Sequence, residues 1–277
     1  MNVDFHIHTN YSDGGKTGKE IIELCKKNDI GYISITDHNT FRFYEDNKDY
    51  GIKIIRGMEV EVEYNEKTTL HMLLYNYDLE SKLLREYYNK NREYEIYHFE
   101  EKIRKIEELF NIRIDKDIKD NFIKRNNYFD RVRLNNLLVE CKLANDPKEA
   151  FYKYTKDINE NKRFKISIDD FFELEKDSKG IASLAHPLRY KMSLSEIEEL
   201  ILELKNKYNL RVVEAINNRQ TKEEEIELIK FCNEHNLYIS GGSDSHYKFD
   251  EICDKNIGIV LDRKINAKEV TFLELLN

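Results

Sequence analysis

At 277 residues, 40% of them hydrophobic, the chain can build one large domain or one domain carrying an insertion. Its charged residues, 35% of the total, mix both signs, and a formal net charge of -8 excludes a generic coat for nucleic acid while leaving room for a small basic cleft. No apolar run approaches the roughly 20 residues of a membrane span.

"VDFHIH" (3–8) alternates Val3, Phe5 and Ile7 with Asp4, His6 and His8, the period of a strand. One face is apolar and the other carries both imidazoles. Ser12, Asp13, Gly14 and Gly15 are turn residues that follow it. On its own an H-x-H strand more often describes a half-exposed strand whose polar face meets water. Acidic Asp4 and the histidines interrupt this first apolar stretch, so no signal peptide is expected.

Thr17 with Glu20 forms a capping-box pattern that opens a helix to about Lys27. "GYISITDHNT" (31–40) predicts a β-branched strand ending in polar turn residues. "GIKIIRGMEVEVEY" (51–64) predicts strand, with Met58, Val60 and Val62 alternating against Glu59, Glu61 and Glu63, and "TTLHMLLYNY" (68–77) predicts another. From residue 80 to about 165 the period becomes helical, with Leu83, Leu84, Tyr87, Tyr88, Tyr94, Tyr97, Ile103, Ile106 and Phe110 recurring between charges. Residues 128–143 and 146–155 are further helical segments, the second with Pro147 early in its helix. The stretch reads as a helical insertion, either a packing appendage or a cap over a site.

After 165 the strand–helix rhythm returns. "GIASLAHP" (180–187), "LRVVEAIN" (210–217), "LYISGGSDSH" (237–246) and "NIGIVL" (256–261) predict strands, and Ser193 with Glu196 and Thr221 with Glu224 cap the helices between them. The repeats predict parallel βα units with one hairpin-like interruption, closing into a barrel. The domains are therefore expected at 1–79 with 165–277 for the barrel, and 80–164 for the insertion. Cys25, Cys141, Cys232 and Cys253 form no C-x-x-C and read as small buried residues, which suits a reducing cytoplasm.

Of the eight histidines, His6, His8, His38, His71, His186 and His246 fall at or just past strand ends, beside Asp13, Asp37, Glu59 and Asp244. Only His98 and His235 lie on helices or their ends. In a parallel barrel the carboxyl ends of the strands converge on one face. Neutral imidazoles and ionised carboxylates gathered there suit divalent cations. The competing reading is that each histidine separately caps a strand. No G-x-S-x-G and no H-E-x-x-H occurs, and no cysteine lies near the histidine motifs, which excludes the common Ser, Cys and helical zinc-protease signatures.

"HIHTNYSDG", "ITDHN", "GMEVEVEY…LHMLLY", "LAHPLRY" and "GGSDSH" occur in the order of the PHP (polymerase and histidinol phosphatase) family, which the chain resembles over residues 2–78 and about 165–261. Its length, the insertion after "HMLLY" and "RVR…EAFYKY" resemble the subgroup of nucleoside 3′,5′-bisphosphate phosphatases that also act as 5′–3′ exoribonucleases on short RNA. The resemblance implies an α/β fold, a distorted (β/α)7 TIM-like barrel with a helical insertion. It implies three divalent metal ions, Mn²⁺ first with Fe or Zn²⁺ as alternatives. His6, His8, Glu59 and Asp244 would hold one. Glu59 would bridge to a second with His71 and His186, and Asp13, His38 and His246 would hold the third. Asp37 would orient a ligand from behind. Arg189 would bind substrate phosphate, and Arg131 and Arg133 stand where the subgroup has an Arg-x-His pair, which puts the leaving-group chemistry and the substrate in question. The reaction implied is phosphate-ester hydrolysis by metal-activated water with no side-chain nucleophile. The expected substrate is a small phosphorylated molecule, a nucleotide or a short oligoribonucleotide, with no membrane and no stable protein partner. Histidinol phosphate is the alternative within the family. An amidohydrolase-type C–N hydrolase and a non-catalytic metal-binding module are the alternatives outside this chemistry.

Overall fold

The computed structural model describes residues 1–45, 49–158, 163–246 and 257–276. Cys253 and Asn256, both invoked above, lie outside them. The chain divides into two compact units, Met1–Arg85 with Lys165–Asn277, and Glu86–Phe164.

The first unit is built on strands β1 (Asn2–Ile7), β2 (Ile30–Ile35), β3 (Lys53–Glu63) and β4 (Thr69–Tyr75), and, after the second unit, on β5 (Ile166–Ser167), β6 (Ile181–Leu184), β7 (Val212–Ile216), β8 (Tyr238–Gly241) and β9 (Ile265–Asn266). Helices α1 (Gly18–Lys27), α6 (Ile168–Asp177), α7 (Leu194–Tyr208) and α8 (Lys222–Glu234) connect them. The capping boxes of Thr17, Ser193 and Thr221 all form, because the pattern needs only neighbours three residues apart.

The sheet runs β8-β7-β6-β4-β3-β2-β1-β9, with β5 against β3. Pairs β1–β2, β2–β3, β6–β7 and β7–β8 are parallel, whereas β4 is antiparallel to both β3 and β6, the expected hairpin interruption. Past its short pairing with β9 at Asn2 and Val3, β1 receives the chain just past β8. Asp244 N donates to His6 O at 2.9 Å, His8 N donates to Ser245 O at 3.3 Å, and Ile7 bridges Ser245 in parallel. The sheet is thereby a nearly closed barrel. Gly242 sits at this seam, where a Cβ would lie 2.3 Å from His6 N and 2.4 Å from His6 Cβ, so only glycine allows the approach.

Both faces of β1 are buried: Val3, Phe5 and Ile7 at 0% exposure, and Asp4, His6 and His8 at 0–1%. The half-exposed reading of this strand therefore fails. In β3, Glu59 and Glu61 are buried alongside Met58, Val60 and Val62, and only Glu63 of the three acids is exposed. The expected strand at 256–261 does not form in its described residues. Gly258 takes φ +75° and Leu261 φ +47°, and Val260 pairs only with Arg263. Ile257 and Val260 are apolar because the turn is buried, and Gly258 N donates to Asp4 Oδ2 at 2.7 Å.

The second unit contains most of the 29-residue α2 (Lys82–Phe110), then α3 (Lys116–Arg125), α4 (Arg131–Glu140) and α5 (Pro147–Ala150), the last running into a π turn at Phe151–Thr155. α3 was not among the expected elements. Its signal is the N-cap Asp115, which accepts from Ile118 N at 3.0 Å. Phe99, Ile106, Phe129, Leu137 and Leu138 form a core within this unit. Among the described residues no helix is long and apolar enough to cross a membrane.

Candidate metal centre

The strand ends bring the singled-out histidines and acids of the barrel together. His6 and His8 share a face of β1 and its extension because alternate residues of a strand point the same way. His38 follows β2 and bridges Glu59 of β3 through the backbone. His71 lies on β4, opposite Glu61 and near the amino end of that strand rather than its expected carboxyl end, because β4 runs antiparallel to β3 and β6. His186 follows β6, and Asp244 and His246 follow β8. His186 (φ +27°) and Asp244 (φ +50°) take backbone conformations that ordinary side chains avoid, and such positions concentrate at functional sites.

Glu59 is the hub. Its Oε1 lies 2.8 Å from His71 Nδ1 and 2.9 Å from His186 Nε2. Its Oε2 lies 3.1 Å from His38 Nδ1, 3.2 Å from His8 Nε2 and 3.4 Å from His6 Nε2. Asp244 Oδ1 is a second focus, 3.1 Å from His246 Nδ1, 3.4 Å from His6 Nε2 and 3.5 Å from His8 Nε2. Asp13 Oδ2 lies 3.5 Å from His246 Nε2 and 3.6 Å from His38 Nε2, and its Oδ1 is 3.4 Å from His8 Nδ1.

Four overlapping groups offer donor atoms that all lie within 4.8 Å of one another: His8, Asp13, His38 and His246; His6, Glu59, His186 and Asp244; His8, Glu59, Asp244 and His246; and His38, Glu59 and His71. These groups include each expected ligand, but they join His186 to His6 and His71 to His38 rather than His71 to His186. Buried Glu59 Oε2 and Asp244 Oδ1 have no hydrogen-bond partner among the described residues, though imidazole nitrogens surround both. Orphaned carboxylate oxygens in a desolvated pocket are costly unless a cation shares them, so the donor set fits divalent metal.

The charges reinforce this. Burial works against ionised Glu59, yet the His38, His71 and His6 imidazoles hold its carboxyl well below the ordinary range. Asp244 is held well below its range in the same way, His6 foremost opposing burial. Burial likewise opposes protonated His8, but Asp244, Glu59 and Asp13 together push it up to about 10.

The remaining expected residues fall into different settings. Asp37 accepts from Thr9 N at 2.7 Å, Thr9 Oγ1 at 2.6 Å and Ser12 Oγ at 2.6 Å, and Ser12 Oγ is 3.3 Å from His8 Nδ1. It therefore braces the loop that carries His8. Arg189 lies exposed in the short turn Pro187–Tyr190 directly after His186. Arg131 and Arg133 belong to the second unit. Arg131 Nη2 donates to Ile158 O at 3.1 Å and its guanidinium lies 5.6 Å from the Phe151 ring, and Arg133 pairs with Asp130 at 3.4 Å.

Two residues escaped the sequence reading. Glu214 of β7 is fully buried, its Oε1 2.9 Å from His6 Nδ1 and its Oε2 accepting from His186 N at 2.7 Å. Its signal was a lone acid inside the apolar run VVEAI. Arg219, in the loop after β7, donates through Nε to Asp244 Oδ2 at 3.2 Å, and nothing local in the sequence marks it.

The family model described as PHP domain matches residues 4–240. Among curated relatives, the 5′–3′ exoribonuclease Rnm of Escherichia coli is 23% identical over 88% of this chain and 84% of its own length. The 5′–3′ exoribonuclease of Haemophilus influenzae is 24% identical over 93% of this chain and 94% of its own. The 3′,5′-nucleoside bisphosphate phosphatase of Chromobacterium violaceum is 24% identical over 88% of this chain and 87% of its own. Two solved structures share the fold. One is an amidohydrolase from Chromobacterium violaceum with bound sulfate and no metal, at TM-score 0.71 and 22% identity over 100% of this chain and 96% of that one. The other is a predicted metal-dependent phosphoesterase from Bifidobacterium adolescentis, at TM-score 0.69 and 20% identity over 96% and 93%.

Proposed function

This chain belongs to the PHP domain family of metal-dependent phosphoesterases, and from that premise we propose that it hydrolyses phosphate monoesters of nucleotides, nucleoside 3′,5′-bisphosphates first and the 5′ ends of short RNA second. The observation that carries the reading is the pair of buried oxygens without a hydrogen bond, Glu59 Oε2 and Asp244 Oδ1, ringed by imidazoles contributed from distant strands.

His6, His8, Asp13, His38, Glu59, His71, His186, Asp244 and His246 hold three divalent ions in this reading. Glu59 supports a bridging role because its two oxygens face different histidines. Mn²⁺ is the first choice, with Fe or Zn²⁺ able to occupy the same mixed imidazole and carboxylate set. Bound there, the ions supply Lewis-acid stabilisation of phosphoryl charge and a nucleophilic water at neutral pH. The side chains orient these donors and exclude bulk water from them. Asp37 fixes the His8 loop through Ser12 and Thr9. Arg189 meets the phosphoryl group, a task suited to a guanidinium fork. The activities of the relatives favour a nucleotide or RNA substrate over histidinol phosphate.

The test is release of phosphate, or of mononucleotides from the RNA, by protein stripped with chelator and reloaded with Mn²⁺, Fe²⁺ or Zn²⁺. The substrates are adenosine 3′,5′-bisphosphate, a short 5′-phosphorylated RNA and histidinol phosphate. Release confined to loaded protein and fastest from the bisphosphate is expected. Absence of turnover with every metal rejects the reading, and a preference for histidinol phosphate replaces the substrate.

A further inference from the structure

We propose that Arg219 is a phosphate-recognition residue of this site, a guanidinium braced against the outer oxygen of Asp244 so that its terminal nitrogens meet a phosphoryl group at the cluster. The inference rests on the phosphoesterase reading above and assigns a residue which that reading does not use.

Asp244 divides its two oxygens between two tasks. Oδ1 faces His6, His8 and His246, and Oδ2 accepts from Arg219 Nε at 3.2 Å. An arginine whose only purpose is to neutralise a carboxylate usually meets it with two parallel bonds. Here a single contact, through Nε, leaves both terminal nitrogens clear of Asp244, and among the described residues they have no other partner. The Arg219 side chain is 38% exposed while that of Asp244 is 1% exposed. The guanidinium thus runs from the buried edge of the cluster out to solvent, the course a receptor for an incoming anion needs.

The loop that carries it is built rather than loose. Arg219 N donates to Asn217 Oδ1 at 2.7 Å, and Asn217 Nδ2 donates to Glu214 O at 3.2 Å. Asn218 Nδ2 donates to Ser243 O and to Ile259 O, both at 3.0 Å, and its Oδ1 accepts from Leu261 N at 3.0 Å. These bonds tie the loop both to the end of β7 and to the chain past β8, so the guanidinium is held before any ligand arrives. Arg219 and Arg189 follow neighbouring parallel strands, β7 and β6, which places two arginines along one rim of the barrel.

The test compares wild type, Arg219→Gln and Arg219→Lys, each loaded with Mn²⁺. Affinity for inorganic phosphate is read by calorimetry, KM and kcat on adenosine 3′,5′-bisphosphate by phosphate release, and metal per chain by elemental analysis. Arg219→Gln is expected to weaken phosphate binding and raise KM by about 10-fold or more, with metal content unchanged, and Arg219→Lys to recover part of both. Phosphate affinity within two-fold of wild type overturns the proposal. So does a metal content that falls in step with phosphate affinity, because Arg219 then acts only by holding Asp244. A wild type that binds phosphate but turns over no ester sinks the phosphoesterase reading instead, and the binding arm still decides Arg219.

Discussion

Glu214 Oε1 stands 2.9 Å from His6 Nδ1, and both side chains are fully buried. The carboxylate holds a proton on Nδ1, so it is Nε2, which faces Glu59 and Asp244, that becomes a free donor once a cation displaces its proton. The other Glu214 oxygen accepts from His186 N and so holds the backbone that positions a second imidazole.

Glu214→Ala is expected to lower metal affinity or turnover by roughly 10–100-fold, the usual range for a carboxylate behind a ligating histidine. Glu214→Gln keeps an acceptor and is expected to lose less. Metal per chain after dialysis, measured for both variants, decides it. Full occupancy in Glu214→Ala would show that His6 is held without it.

Metal uptake is expected to release protons. His8 is pushed up to about 10 and His6 is raised well above its ordinary range, in both cases by carboxylates that outweigh burial. The metal-free pocket therefore holds imidazole protons at pH 7, and a cation must displace them. Affinity is expected to rise with pH. Calorimetry of Mn²⁺ binding in two buffers of different ionisation enthalpy counts the protons, and a count of zero contradicts the assignment.

The same shifts set the stability of the metal-free protein. The raised histidines contribute stability that is fully present below the unfolded value of 6.5 and is lost as pH climbs towards about 10. The depressed carboxyls of Glu59 and Asp244 contribute stability present above their unfolded values of 4.5 and 3.8 and lost as pH falls through their folded ones. Chelated protein is expected to be most stable between those limits and to show a Tm that falls from pH 6.5 to 9. A Tm flat across that range argues against the coupling.

Gly242→Ala is expected to open the barrel seam, because the added methyl would sit 2.3 Å from His6 N. The cost is about 1–3 kcal/mol, as for overpacking elsewhere. Metal affinity is expected to fall as well, since the strain lands on the backbone of His6. Thermal unfolding and metal content together check it, and a wild-type Tm would place the approach elsewhere.

The sequence by itself determined what short-range geometry controls. The capping boxes at Thr17, Ser193 and Thr221 need a partner three residues away, and the alternation in β1 and β3 needs one two residues away. The motif order was enough to gather the histidines at strand ends and to identify the family. Tertiary structure alone decided which donors share a focus, since Glu59 meets five imidazoles from four other segments only once strand register and barrel closure are set. It also decided that the apolar stretch at 257–261 is a buried turn, because Asp4, more than 250 residues earlier, supplies the acceptor for Gly258 N. Glu214 and Arg219 stayed hidden for the same reason: a lone acid in a strand and a lone arginine in a loop have no local period, and their meaning lies in the atoms that folding brings to them.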